Sequence, residues 1–358
     1  MTRSDIARLR LHNQRIAYAT IEKPSDVVAW LGAVQAQDYL GALWAVGLRM
    51  RNAVEADVER AIADRTIIRT WPMRGTLHFV AAADIRWMLE LLTPRIVANN
   101  AQRLIRQLGL DEAVFARSKD LFARALQGGK RLMRNAMYDV LEAGGVSTAS
   151  QRGLHILGRL AQDGFICFGA REGKQQTFAL LDEWAPKAMR MARDESLAEI
   201  AKRYFTGHGP ATLQDFAWWS GLTTADATAG LEMAKRFLAQ EAINGQTYWL
   251  ASSTPAIEDS SPTVYLLPAY DEYTVAYKDR SAVLDPIYAK QANSGNGIFY
   301  PTIVVDGRVV GTWKRTLKKD SLAISPSPFA KLKRAETRAI AEPAYRYGKF
   351  LGASDVSL

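Results

Sequence analysis

Residues 211–227, ATLQDFAWWSGLTTADA, contain the turn signals that decide the fold. Thr212 is a good N-cap for a short helix. Ser220-Gly221 ends that helix, because glycine adopts the left-handed turn without a Cβ clash. Thr224 then caps a second helix. The stretch therefore predicts two short helices joined by a tight turn.

A hairpin follows the second helix. Leu231, Ala234 and Leu238 give that helix an apolar stripe. Residues 242–250 contain Asn244-Gly245, a dipeptide typical of a two-residue hairpin turn, and are predicted to form a β-hairpin. Two helices, a tight turn and a hairpin predict a winged helix-turn-helix.

The same order of elements occurs upstream, in the middle of the chain. Leu132–Ala143 is predicted to be helical, and Gly144-Gly145 is the turn. Ser147 begins a second predicted helix through Leu160. Phe165–Gly169 and Thr177–Leu181 are the predicted strands of a wing, so this region is a second copy.

A looser third copy opens the chain. Helices are predicted over Asp26–Val34, Tyr39–Met50 and Val54–Ala63. The strands Thr66–Trp71 and Thr76–Val80 follow, bent at the Pro-Met-Arg-Gly sequence between them. Recurrence of one unit along a chain indicates a tandem array.

The character of the sequence changes after Ser252. Ala251–Pro262 is predicted to be a linker. Val264–Leu267 and Ile303–Trp313 are rich in β-formers, with Asp306-Gly307 as a hairpin turn. A terminal helix is predicted from Leu332 to Leu351, interrupted at Pro343. The predicted class is α+β, with three winged-helix domains and a C-terminal β-rich module at residues 1–94, 95–190, 191–252 and 263–358.

Length and composition exclude several classes of protein. The chain has 358 residues, 48% of them hydrophobic, which is too apolar for a disordered protein. It contains no run of about 20 apolar residues and no signal-peptide pattern at its start. The one cysteine, Cys167, excludes an intramolecular disulfide and sits in an apolar stretch, which favours a buried structural thiol. We expect a cytoplasmic protein.

The charge favours a polyanionic partner. The formal net charge is +9 and the pI is about 9.5. Residues 264–350 hold 14 basic against 8 acidic side chains, and residues 95–134 hold 9 against 3. Neutralising phosphates releases counterions, so such a surface suits nucleic acid. An anionic membrane is the weaker interpretation, since no basic amphipathic helix carries bulky aromatic residues on its other face.

The sequence motifs of several enzyme classes are absent. The P-loop, G-x-G-x-x-G and G-x-S-x-G spacings are absent. His12, His78, His155 and His208 do not have the spacing of a zinc protease or deaminase. No metal and no nucleotide cofactor are expected.

Two glutamines flank one small residue in Gln35-Ala36-Gln37, between the first two predicted helices. The pair is compatible with a solvated helix end. It is also compatible with two neutral amides that face one point, because an amide both donates and accepts and can orient a water molecule without charge.

The strand pair around residues 69–78 is the second candidate functional segment. Arg69, Arg74, Thr76 and His78 are predicted to contact DNA, with Arg74 on phosphate and His78 near the chemistry. A wing with an exposed arginine tip explains the same residues without any function.

In two later segments, basic side chains alternate with aromatic residues. Tyr273, Lys278 and Arg280 suit stacking and phosphate contact, and they equally suit strand packing and surface ion pairs. Arg308, Lys314 and Arg315 lie on the predicted hairpin, which is either a groove probe or an edge strand protected by bases.

At these residues the sequence resembles the AlkZ-like winged-helix DNA glycosylases, from about Ser4 to about Leu351. The resemblance rests on motifs that are specific in combination: Gln35-Ala36-Gln37, residues 69–78, His208-Gly209-Pro210-Ala211-Thr212, Trp218-Trp219-Ser220-Gly221, residues 267–273, residues 277–280, residues 304–308 and Gly311-Thr312-Trp313.

The resemblance implies three tandem winged helices around a concave basic channel. It implies that Gln35 and Gln37 are the catalytic residues of the AlkZ branch, whose signature is Gln, an apolar residue and Gln. The AlkX branch has Asp at the second glutamine, and Asp38 is not that residue. The implied activity is excision of N7-alkylated purines from double-stranded DNA, and in some members the unhooking of interstrand crosslinks. A nucleoid-associated monomer without a membrane contact follows from this role.

Two other functions fit the charge and the repeats. One is a winged-helix transcription regulator without catalysis, which leaves the glutamine pair and the number of copies unexplained. The other is a scaffold whose aromatic strands only pack. Release of 7-methylguanine by the wild type but not by Gln37→Ala would distinguish the enzyme from both.

Overall fold

The computed structural model describes residues 2–243, 245–252, 262–295 and 297–358. The chain divides into one unit formed by Met1–Val58 with Leu197–Leu358 and a second formed by Glu59–Ser196. Most of the predicted linker Ala251–Pro262, and the turn residue Asn244, lie outside the described residues.

Within the unit Glu59–Ser196, five strands form an antiparallel sheet. Their order is Thr76–Ala81, Ile67–Met73, Ile166–Phe168, Thr177–Leu180, Leu132–Met133. The helices of this unit are Ile85–Leu92, Pro94–Leu108, Glu112–Leu126, Arg134–Ala143, Arg152–Gln162 and Leu181–Trp184.

The core of this unit lies where three helices meet the sheet. Phe122, Leu141 and Leu157 are fully buried in one apolar cluster that also holds Phe178 of the sheet. Burying such a side chain contributes about 1.5–3 kcal/mol. Cys167 is 1% exposed, so the predicted buried thiol is confirmed, and burial raises the pKa of that thiol.

The other unit is also mixed α and β. Its strands are Val34–Gln35, Leu238–Ile243, Gln246–Ala251, Val264–Leu267, Thr302–Val305, Arg308–Lys318, Ser321–Pro328 and Asp355–Ser357. Its helices are Arg3–Asn13, Pro24–Leu31, Tyr39–Gly47, Leu213–Ser220, Thr224–Ala234, Glu272–Val275, Ala289–Ala292, Arg334–Ala339 and Ala341–Leu351, with 3-10 turns at Lys235–Phe237 and Pro286–Tyr288. The helices Glu55–Ala63 and Arg193–His208 contain the points of division.

Residues 211–227 fold nearly as their turn signals predicted. Thr212 caps Leu213–Ser220 in a capping box with Asp215, and Gly221 ends it at φ 74°. The predicted cap Thr224 is wrong by one position, since the Thr223 side chain accepts from the Asp226 N–H. The predicted stripe also ran too far, because Leu238 begins a strand.

Other predicted boundaries shift for local reasons. The helix predicted through Val34 ends at Leu31, because Gly32 has a φ of 77°. The helix predicted from Ser147 begins only at Arg152, after two residues with positive φ. Leu132, predicted to be helical, lies in a strand that pairs with Phe178.

A five-stranded sheet forms the C-terminal part. The predicted turn is confirmed: Asp306 and Gly307 have φ values of 47° and 83°, which suit a two-residue hairpin. A Cβ on Gly307 would come within 2.8 Å of Ala7, so the turn packs closely against the first helix. Ser321–Pro328 and the parallel strand Asp355–Ser357 were not predicted.

The terminal helix breaks three residues before its proline. Arg334–Ala339 and Ala341–Leu351 are separate helices, because the ring of Pro343 would clash with the carbonyl four residues earlier. The second helix packs Tyr347 and Phe350 against Trp44, at ring-centroid distances of 4.9 and 5.1 Å. These contacts tie the C-terminus to the helix that follows the glutamine pair.

Candidate functional site

The glutamine pair lies on an extended segment between two helices. Gln35 ends the strand Val34–Gln35, and the helix Tyr39–Gly47 begins four residues later. The two side chains differ in exposure: Gln35 is 8% exposed, whereas Gln37 is open to solvent. Gln37 therefore offers the more accessible amide of the two.

A buried carboxylate holds this segment from behind. The Gln35 main-chain N–H donates to Glu272 Oε1 at 2.9 Å. The Trp219 indole N–H donates to Glu272 Oε2 at 2.9 Å, and His208 Nε2 lies 3.5 Å from the same oxygen. Glu272 is fully buried, so these contacts are not weakened by water.

A buried ion pair fixes the residue before Glu272. Arg49 donates to both carboxylate oxygens of Asp271, at 2.8 and 2.9 Å, and both residues are fully buried. The same guanidinium donates to the main-chain oxygens of Gln14 and Ala45 and to the Gln14 amide oxygen. The charges are paired and hydrogen-bonded, as a dry interior requires. Glu272 is therefore supported by a rigid turn.

Tyr273 is a correction to the predicted DNA contacts. It is fully buried, and its hydroxyl donates to the main-chain oxygen of Gly307 at 2.7 Å. Tyr277 is buried too, and its hydroxyl donates to the His208 main-chain oxygen at 2.7 Å. Burial raises the pKa of both phenols. Ordinary packing explains both tyrosines.

Lys278 and Arg280, which were predicted to contact DNA, have different surroundings. Lys278 is exposed, whereas Arg280 donates to the Thr274 main-chain oxygen at 2.6 Å and lies over the Phe299 ring at 4.9 Å. Burial lowers the pKa of the Arg280 guanidinium. Lys278 is thus the more accessible of the two for a phosphate.

The basic residues of the predicted hairpin also differ in their surroundings. Arg308 donates to the main-chain oxygens of Ser281 and Ala282, at 3.1 and 2.9 Å, and is half-buried. Arg315 lies over the Tyr347 ring at 5.6 Å. Lys314 is exposed. Arg308 and Arg315 therefore have structural contacts in addition to any contact with DNA.

In the unit Glu59–Ser196, Arg74 and Thr76 are half-buried at the tip of the strand pair. Arg74 has a φ of 52° and brings its Nη2 to 3.3 Å from His78 Nε2. His78 is fully buried, with Nδ1 at 3.0 Å from the Thr76 main-chain oxygen. The prediction of a DNA contact is wrong for His78, because its ring has no exposed surface.

Arg69 lines a cavity of about 670 Å³ in the same unit. Its guanidinium lies over the Phe168 ring at 4.8 Å, and 6% of the residue is exposed. Arg134 and Lys174 line the cavity too, which makes it basic. An anion is the ligand that this lining favours.

The described part of the chain shows no group of three His, Cys, Asp or Glu side chains that could hold a metal ion. Across the same residues, no helix is both long and apolar enough to cross a bilayer. The candidate site is built from the amides of Gln35 and Gln37, the buried carboxylate of Glu272 and their supports. Sequence reasoning missed Glu272 as such a support, although a charged pair inside an aromatic, apolar stretch was a usable signal.

Known proteins resemble this chain over nearly its whole length. The model of the AlkZ-like DNA glycosylase family matches residues 28–350. An interstrand DNA cross-link repair glycosylase of Streptomyces sahachiroi is 27% identical over 366 residues, covering 96% of this chain and 95% of that protein. The solved structure of Streptomyces sahachiroi DNA glycosylase AlkZ has a TM-score of 0.83 and 23% identity, covering 100% of this chain and 98% of that one. The last comparison shows a shared fold.

Proposed function

This chain belongs to the family of AlkZ-like DNA glycosylases, and we propose that it hydrolyses the N-glycosidic bond of N7-alkylated purines in double-stranded DNA. It is a DNA glycosylase by its family. The proposal adds the substrate class and the roles of Gln35 and Gln37, which position the attacking water.

The chemistry suits neutral residues. Alkylation at N7 puts a positive charge on the purine, so the base leaves as a neutral molecule and needs no general acid. The remaining tasks are to stabilise an oxocarbenium-like sugar and to present water to C1′. Orientation of reactants alone can supply several kcal/mol, about 7–11 in well-aligned intramolecular cases. An amide can hold a water by accepting and donating hydrogen bonds.

The observation that supports this proposal most is the contrast between the two amides. Gln37 is exposed, on a segment whose backbone is hydrogen-bonded to the fully buried Glu272. An accessible polar group on a rigid support is what water positioning requires. We assign the direct contact with water to Gln37, and we assign to Gln35 the alignment of the water from its 8% exposed position.

The proposed architecture is three winged helix-turn-helix domains, at residues 1–94, 95–190 and 191–252, around a basic channel, with the C-terminal module at 263–358. The helix and hairpin order of each region, the fold shared with the AlkZ structure and the +9 charge support it. DNA would then contact Arg69, Arg74, Thr76, Lys278, Arg280, Arg308, Lys314 and Arg315.

DNA binding should depend steeply on salt. If about 6 phosphates are contacted, log K falls against log salt with a slope of about −5. Three exposed lysines are exchanged for glutamine: Lys314 and Lys318 of the strand Arg308–Lys318, and Lys319 directly after it. This should weaken binding to all sequences alike and flatten the slope by up to about 3, measured by fluorescence anisotropy.

The matched control replaces the same three lysines by arginine, which keeps the charge and should keep the slope. An unchanged slope in the glutamine variant would show that these three lysines do not contact DNA. A change in sequence preference would instead indicate base reading.

The substrate class is tested by a glycosylase assay on duplexes that contain 7-methylguanine, uracil or undamaged adenine. We expect release of 7-methylguanine and no measurable release of the neutral bases. A neutral base needs a general acid that protonates it as it leaves, which adds typically about 10²–10⁴-fold, and an amide does not provide this. Robust release of uracil or adenine would contradict this mechanism.

Crosslinked DNA is a second substrate to test, because the relative from Streptomyces sahachiroi is named an interstrand DNA cross-link repair glycosylase. We propose that a mustard-crosslinked duplex, in which both linked purines are N7-alkylated cations, is a substrate of the same site. Its conversion to single strands, beside Gln35→Ala and Gln37→Ala, tests whether one site acts on both lesions.

A further inference from the structure

Asp38, the residue after Gln37, has a carboxylate that does not cap the helix it precedes. It is the N-cap of the helix Tyr39–Gly47, yet its side chain makes no capping hydrogen bond. Its carboxylate is exposed and has neither a hydrogen-bond nor an ion-pair partner within the described ranges. Aspartate at an N-cap normally bonds a free main-chain N–H. A negative charge is therefore kept beside the water-positioning amide.

The carboxylate lies next to the turn that contains Tyr270. A Cβ built on Gly41 would come within 2.7 Å of Asp38 Oδ2 and 3.4 Å of Pro268 Cβ. The missing side chain of Gly41 thus gives the carboxylate its room, and Pro268 is two residues before Tyr270. Burial raises the pKa of the Tyr270 phenol, and the nearby Asp38 charge raises it further.

Tyr270 has an unfavourable backbone conformation. Its φ of 60° lies in the left-handed region, which is rare for a bulky residue and costs on the order of 1–3 kcal/mol. The conformation persists because the next residue, Asp271, is clamped by Arg49 through two hydrogen bonds. Such strain is concentrated at functional sites. The result is a half-buried aromatic ring next to Asp38.

The neighbouring aromatic residue differs in one respect. Phe299 lies 6.3 Å from Tyr270 between ring centroids, and it already has the Arg280 guanidinium over its ring at 4.9 Å. For the residues described, no arginine or lysine lies over Tyr270. An aromatic face and a carboxylate attract the same kind of ligand group, a cation.

We propose that Asp38 and Tyr270 form a recognition pair for the positive charge of the alkylated base, and that this pair makes the enzyme select cationic over neutral purines. The inference rests on the proposed function, since it concerns the substrate of the same site. Tyr270 offers its ring to the cationic purine, and Asp38 supplies the counter-charge.

Such a pair does not oppose catalysis. As the glycosidic bond breaks, its electron pair goes to the purine nitrogen, the base becomes neutral, and the positive charge passes to the sugar. A carboxylate near both groups attracts the charge before and during bond cleavage. Interactions of this kind favour binding and specificity with little effect on the chemical step. A neutral purine gains nothing from them.

The test compares two stable probes of equal shape in the same duplex. One carries 7-methylguanine on 2′-fluoro-2′-deoxyribose, which keeps the cation and resists hydrolysis. The other carries 7-methyl-7-deazaguanine on the same sugar, and this base is neutral. The readout is the ratio of the two dissociation constants. Because each ratio comes from one preparation, an inactive fraction cancels.

We expect the wild type to bind the cationic probe about 30–300-fold more tightly, which corresponds to one ion pair and one cation–π contact. Asp38→Asn should lower the ratio about 10-fold, and Tyr270→Leu about 3–30-fold. Tyr270→Phe should keep the ratio within about 2-fold, since the ring face is retained. Glu22→Gln and Tyr345→Leu, at exposed positions, are the matched controls and should keep the wild-type ratio.

A wild-type ratio near one would overturn the inference, and so would Asp38→Asn and Tyr270→Leu variants with the wild-type ratio. Release of 7-methylguanine is measured separately on the natural substrate. If the wild type releases no 7-methylguanine, the proposed function fails, whatever the ratio. If it releases the base while the ratios stay equal among variants, only the recognition pair fails.

Discussion

Gln37→Ala is expected to lower the rate of 7-methylguanine release by about 10²–10³-fold, the usual effect of removing one preorganised hydrogen-bonding group from an active site. The alanine removes the amide that contacts the attacking water at the exposed end of the segment and leaves only that of Gln35. Single-turnover release from a duplex with one 7-methylguanine measures the chemical step. Binding to the same duplex should change little, because the removed group is neutral.

The exposure of Gln37 makes this variant interpretable. An exposed substitution usually changes the free energy of unfolding by less than about 0.5 kcal/mol, so the variant should fold as the wild type does. Gln240→Ala, an exposed glutamine on the strand Leu238–Ile243, is the matched control and should keep full activity. If Gln37→Ala releases 7-methylguanine at the wild-type rate, water positioning by this residue is excluded.

Local signals in the sequence predicted local structure well. Thr212, Gly221 and the turn Asp306-Gly307 each determine the backbone within a few residues, and each was placed correctly. The strand Ser321–Pro328 was missed because it contains two prolines, which argue against a strand. It pairs with Arg308–Lys318 as the neighbour of a strand that is itself long and basic. That pairing is a tertiary effect that no local pattern reveals.

In the candidate site, too, local features could be predicted from the sequence and long-range contacts could not. Its glutamine pair could be found from the sequence, because two amides around one alanine are unusual between helices. The support could not, since the hydrogen bond from Gln35 to Glu272 joins residues 237 positions apart. Tyr273 and His78 were mistaken for DNA contacts because their neighbours in sequence are charged, whereas their burial depends on distant packing. Full burial, rather than residue type, excludes Tyr273 and His78 from contact with DNA.

Asp271→Asn should destabilise the unit that contains the site by about 3–5 kcal/mol, because it leaves the Arg49 guanidinium buried without a counter-charge. Both side chains are 0% exposed, and no water can replace the lost carboxylate. Urea unfolding followed by tryptophan fluorescence measures the loss. Glu232→Gln breaks the exposed pair of Glu232 with Lys235, so it is the matched control and should cost less than about 1 kcal/mol.

A paired variant separates the loss of the ion pair from the loss of shape. Arg49→Met combined with Asp271→Leu removes both charges, and replacing a buried pair by apolar side chains of similar size is often neutral. We therefore expect the double variant to be more stable than Asp271→Asn. It should nevertheless release 7-methylguanine more slowly than the wild type, because the clamp that holds Tyr270 and Glu272 is gone. Equal stability of Asp271→Asn and Glu232→Gln would show that the pair does not hold the turn.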